Sequence, residues 1–283
     1  MARFGLAQFN PFTFVGLRLA LACMAHLGVY LVDRRRQWPT DRLLWRRAAL
    51  MGVLGTAVPM TTLLLSLQYQ SSGVTSIFIT TAPAITVLMA HFFLADERLT
   101  GRKIIGIALA LGGALLLVLQ GESGLPDASQ ASPIGFALVL VGMMAGSAMA
   151  IYARKYLRSF DAFDVATTRM VVATLFMAPI VLFFTGLDFS QVTAEGYFSL
   201  VYTALVGAFA GLLLEFYIIK RFGATAAVMT AYVIPVVATV GGALFLDERI
   251  TLIMLGGMAL IALGIAIINQ RRRTVRRGYI PPT

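Results

Sequence analysis

Residues 73–100 read GVTSIFITTAPAITVLMAHFFLADERLT, and residues 223–251 read GATAAVMTAYVIPVVATVGGALFLDERIT. Each opens on glycine, carries an apolar run with one proline, and closes on Asp-Glu-Arg followed one residue later by Thr. About 20 apolar residues at 1.5 Å each cross the roughly 30 Å hydrocarbon core of a bilayer. Both stretches therefore read as membrane-spanning helices, and their likeness reads as an internal duplication.

The duplication extends outward at an offset of 151 residues. Asp96, Glu97, Arg98 and Thr100 fall on Asp247, Glu248, Arg249 and Thr251, while Gly106 and Gly113 fall on Gly257 and Gly264. Toward the front, Phe9, Phe12 and Arg18 fall on Phe160, Phe163 and Arg169. Between these anchors Gly73 matches Gly223, and Pro83 matches Pro235, each with a one-residue slip.

Nine apolar stretches are long enough to span, at about 11–31, 48–68, 72–94, 104–120, 133–153, 165–185, 197–219, 224–246 and 250–269. The chain is 59% hydrophobic and 13% charged, with a mean hydropathy of +0.83, outside the range of a soluble domain. The fold class expected is an all-α integral membrane bundle. Strand-type alternation is missing from the sequence, which argues against a barrel.

The second copy has five spans, and an odd number inserts two copies with opposite topology, an arrangement common in secondary transporters. Residues 1–120 thus form a first repeat, 133–269 a second, and 270–283 a basic tail. Projecting span 133–153 back by 151 residues places its partner at about −18 to 2. The first repeat is expected to hold four helices, its first helix missing through truncation or a misassigned start codon.

A net charge of +10 would suggest nucleic acid in a soluble protein, so the placement of the basic residues decides their meaning. Nineteen of the 23 Lys and Arg fall in one alternate set of connections, including Arg34 to Arg36, Arg154, Lys155 and the tail. The opposite set holds Arg3 and Arg249. The positive-inside rule then puts the C-terminus in the cytoplasm, and nucleic-acid binding is excluded. The lone cysteine, Cys23, allows no disulfide framework or cysteine-based metal site.

These features resemble the drug/metabolite transporter superfamily, EamA type. The resemblance spans the chain and rests on NPFTFVGLRLALA at residues 10–22 and on two long matches, residues 73–117 and 223–267. It implies ten helices in two inverted five-helix repeats, and export, less often uptake, of amino acids, nucleobases or vitamins across a bacterial inner membrane. No cofactor is implied. The partners are the lipid bilayer and a small-molecule substrate, and a homodimer stays open.

Candidate site residues cluster about the two prolines. A proline inside a helix removes a hydrogen bond and frees the carbonyl four residues earlier, that of Ile79 or Ala231. Interrupted helices at matching positions point to a midplane binding site. Ser76, Thr80 and Thr81 surround Pro83, and Thr230 and Tyr232 precede Pro235. Their hydroxyls could bind substrate, glue helices together, or bond to their own backbone.

Arg18, Arg169 and Glu215 are the intramembrane charges, each costly in hydrocarbon unless paired or wetted. Glu215 is expected to pair with Arg169, with proton coupling, ammonium binding or solvation beside Lys220 as alternatives. Tyr217 is a further cavity candidate. The acidic pairs ahead of Thr100 and Thr251 read as turns and helix caps. His26 and His91 lie too far apart for a metal site. Gly142 with Gly146, and Gly207 with Gly211, have the spacing of close helix packing.

The competing classes are a membrane-embedded enzyme and a non-transporting scaffold. An enzyme would need acids, histidines or cysteines gathered at one face, which the sequence does not offer. With no Walker-type phosphate loop, coupling falls to a gradient.

Overall fold

The computed structural model describes residues 2–33, 35–94, 98–125, 132–211, 214 and 224–269, with 224–232 described by their backbone alone. A short helix α1 (Ala2–Leu6) leads into α2 (Pro11–Val32), α3 (Arg42–Ser66), α4 (Ser72–Phe93) and α5 (Gly101–Leu119). The second half contains α6 (Pro133–Tyr156), α7 (Ala162–Thr185), α8 (Ala194–Ala210), α9 (Ala224–Leu246) and α10 (Leu252–Asn269). Seven of these are long and apolar enough to cross a membrane, and α8 and the Val233–Leu246 part of α9 are shorter apolar helices. Among the described residues every regular element is helical, so this is an all-α multi-pass membrane bundle.

Helix starts are set by capping side chains, which satisfy backbone N–H groups that have no partner within the helix. Asn10 Oδ1 accepts from Phe12 N at 3.0 Å, and its repeat counterpart Asp161 accepts from Phe163 N and Asp164 N at 2.9 and 3.2 Å. Thr100 Oγ1 accepts from Lys103 N at 3.4 Å, and its counterpart Thr251 accepts from Met254 N at 3.1 Å. The duplication is thus carried by the caps as well as by the apolar runs.

Three of the main helix contacts join repeat counterparts: α2 with α7, the first half of α4 with α9, and α5 with α10. Such pairing is what a two-fold axis between two inverted copies produces. In lipid, helices gain little from hiding apolar surface and associate through close contact. The α5–α10 seam achieves this with glycine. A Cβ on Gly264 would lie 2.4 Å from Gly106 O, and one on Gly113 would lie 2.8 Å from Gly257 O. Each glycine faces the other's counterpart, as inversion requires.

Along the α3–α6 contact, a Cβ on Gly142 would meet Thr62 Oγ1 at 2.5 Å, whereas one on Gly146 would meet nothing within 4 Å. The Gly142 and Gly146 spacing thus marks one tight contact instead of two. Outward-facing Phe92, Leu119, Phe183, Phe184, Leu244 and Leu252 are exposed and form the lipid-facing surface.

The backbone widens into π-helical turns at Val53–Ala57 in α3, Val181–Thr185 in α7 and Thr203–Ala210 in α8. At the 151-residue offset the first falls within the third, so α3 and α8 share the irregularity. Single π turns recur at functional sites because they re-aim side chains.

Candidate functional site

Helix α4 is broken. Its halves, Ser72–Ile79 and Ala82–Phe93, meet at Thr80 and Thr81, and Pro83 sits in the first turn of the second half, where a missing N–H costs nothing. By contrast, Pro235 lies inside an unbroken α9. The expectation of matching interruptions is corrected to one break and one continuous helix. The register that aligns the prolines puts Val233 where Thr81 stands, and a valine has no hydroxyl to close off a helix end.

The hydroxyls around the break are turned onto their own helix. Ser76 Oγ donates to Gly73 O at 2.7 Å, Thr80 Oγ1 to Ile77 O at 2.6 Å, and Thr81 Oγ1 to Phe78 O at 2.8 Å. All three residues are buried. Local bonding of this kind gives little to lose on substitution. Thr81→Val is expected to cost no more than about 0.6 kcal/mol, the average for membrane hydrogen bonds, as a thermal unfolding midpoint in detergent will show.

Thr80 and Pro235 do share a cavity, a crevice of about 200 Å³ completed by Val236, Leu255, Met258 and Ala262. A larger opening of about 620 Å³ lies toward the other end of α9, bordered by Arg3, Leu67, Ser72, Tyr202, Gly241 and Phe245. Thr230 and Tyr232 fall in the part of α9 described by backbone alone. Glu215 and Tyr217 lie outside the described residues, as do Asp96 and Glu97, and with Glu215 goes its expected pairing with Arg169.

Arg18 projects from α2 onto α8, where a Cβ added to Gly207 would be 3.3 Å from its Nη2. Its Nε is buried with no hydrogen-bond partner among the described residues. Arg169, its counterpart on α7, is half-buried, and its carbonyl meets α3 at Gly52. Each arginine's helix therefore packs on the π-turn helix of the opposite repeat. His26 is buried: its Nδ1 is 3.0 Å from Ala22 O, and its ring stacks on Phe163 and meets Phe209 edge-on.

A polar network missed in the sequence sits at the end of the bundle where α4 begins and α9 ends. Asp247, in the left-handed region at φ 52°, reverses the chain after α9, and Glu248 N donates back to Gly242 O at 3.2 Å. The Glu248 side chain, 2% exposed, accepts from Ser72 N at 2.8 Å, Gly73 N at 3.2 Å and Ser72 Oγ at 2.8 and 2.9 Å. Arg3 Nη1 completes it at 2.5 Å. Glu248 thus caps a helix 176 residues away, not the helix it precedes. Nearby, Thr251 Oγ1 donates to Glu122 Oε2 at 2.6 Å, and Ser71 N donates to Ser123 O at 2.7 Å.

Helical repeats packed counterpart on counterpart, with cavities beside their contact, are an arrangement common among membrane transporters. The family model of the EamA-like transporter family matches residues 1–119 and 133–270, and the chain belongs to that family. A probable terminal-alkyne amino-acid exporter of Streptantibioticus cattleyicolor is 28% identical, over 83% of this chain and 76% of that protein. A probable amino-acid metabolite efflux pump of Escherichia coli is 26% identical, over 93% and 87%. A crystal structure 19% identical in sequence shares the fold, with a TM-score of 0.62 over 95% of this chain and 90% of that one.

Proposed function

We propose that this chain is a secondary exporter of amino acids and related small metabolites, working by alternating access in a bacterial inner membrane with its C-terminus cytoplasmic. The observation that carries the reading is the pairing of repeat counterparts α4 and α9, with cavities on either side of their contact. Inverted copies can exchange conformations, so that what is closed at one face opens at the other. The relatives named as amino-acid exporters supply the substrate class, and Arg18, half-buried with no hydrogen-bond partner for its Nε among the described residues, supplies a cation suited to a carboxylate. The segregation of basic residues supplies the orientation.

The test is export by cells expressing the chain. Cells preloaded with labelled amino acids are expected to release them faster than cells carrying an empty vector, and to tolerate higher concentrations of inhibitory amino-acid analogues. Equal release of every amino acid tried, alongside faster release of nucleobases or vitamins, would move the substrate class. Equal release of all three would sink the transporter reading for this chain.

A further inference from the structure

We propose that Glu248 is the latch of the outer gate, holding α9 against the start of α4 and closing the 620 Å³ opening to the outside. The carboxylate sits in the turn after α9, so it moves with that helix. Its partners belong to other elements: Ser72 and Gly73 to α4, and Arg3 to α1. A side chain that caps its own helix stabilises that helix; one that caps a helix from the opposite repeat ties the two repeats together.

The contact it locks is tight. A Cβ on Gly73 would lie 3.0 Å from Thr239 Oγ1 and 3.3 Å from its Cα. One on Gly242 would lie 2.1 Å from Glu248 Oε2 and 2.9 Å from Ser72 Oγ. At Gly73 the helices leave no room for a Cβ, and at Gly242 the Ser72 hydroxyl and the Glu248 carboxylate fill the space between them, so no solute passes while they touch. The opening lies directly beside this contact, since Arg3, Ser72 and Gly242 border both.

The latch is also made to open. Its bonds end on N–H groups in the first turn of a helix, which water can satisfy when the carboxylate leaves. An apolar seam such as α5–α10 has no comparable substitute once parted. The charge-assisted bonds make the closed state specific, and their replacement by water keeps it reversible.

The inference rests on the orientation given under the proposed function, and its test needs no substrate. In a Cys23→Ala background, Gly241→Cys places a thiol where an added Cβ meets nothing within 4 Å, at the border of the opening. Labelling by a membrane-impermeant maleimide is followed in right-side-out and inside-out vesicles. Adding Glu248→Gln is expected to speed labelling from the outside about tenfold, the equivalent of 1.4 kcal/mol of closure.

The double substitution Arg3→Gln with Ser72→Ala keeps Glu248 but removes two of its side-chain partners, and is expected to speed outside labelling of the Gly241→Cys thiol likewise. This second arm answers the question even if Glu248→Gln fails to fold. Equal labelling in folded Glu248→Gln and its parent, or in the folded Arg3→Gln, Ser72→Ala protein and its parent, would overturn the latch. Faster labelling from the inside instead would overturn the outer placement. Expected labelling without amino-acid export would leave the latch standing and remove the substrate reading.

Discussion

Gly264→Val is expected to destroy the folded bundle. The added Cβ would sit 2.4 Å from Gly106 O and 2.6 Å from Ala110 N, both backbone atoms of α5 that no rotamer change can move. Ordinary overpacking costs about 1–3 kcal/mol because side chains shift aside; here two helices must separate along their whole contact, and the loss exceeds that range. Separation also parts Gly113 from Gly257, since a Cβ on either would meet the other's carbonyl. Detergent extracts are expected to show aggregate in place of a monodisperse peak. The control is Gly256→Val on the same helix, where the added Cβ meets nothing within 4 Å; it is expected to extract and unfold like the parent.

That contrast between two glycines of one helix separates what could be read in the sequence from what could not. The spans were legible because hydrocarbon thickness imposes a length that few other constraints impose, and α2, α4 and α9 begin and end within about two residues of the apolar runs. The repeat was legible because caps and seam glycines recur at one offset. Which face of a glycine meets a neighbour was not, so Gly142 and Gly146 looked alike. The π turns were invisible because VLGTA at residues 53–57 differs in no obvious way from ordinary apolar helix.

At the candidate site, the prolines suggest a symmetry of helix breaks that the structure does not have. A proline breaks α4 where Thr80 and Thr81 can close the helix end with their hydroxyls, and it does not break α9, where Val233 takes the place of Thr81. Glu248 was assigned a local turn because sequence distance hides a partner 176 residues away. The signal the sequence offers is an acid repeated in both copies at a helix junction, together with Ser-Ser-Gly opening α4, a segment rich in free N–H groups.

Gly241→Trp is expected to abolish export while leaving the fold intact. Gly241 and Gly242 are adjacent on α9 and face different surroundings. Gly242 is pressed against Ser72 and Glu248, whereas a Cβ on Gly241 enters open space. An indole there projects into the 620 Å³ opening beside Ser72 and Tyr202 without forcing any backbone apart. If substrates cross through this opening, filling it removes the path, and export falls at least about tenfold, an effect of some 1.4 kcal/mol or more on the barrier. Yield, detergent behaviour and unfolding midpoint should match the parent. Gly241→Ala, which adds a single methyl to the same space, should retain most activity, so a graded loss from Ala through Leu to Trp is expected. Undiminished export by a folded Gly241→Trp would place the path elsewhere, leaving the narrower crevice at Thr80 and Pro235 as the next position to fill, through Ala262→Phe.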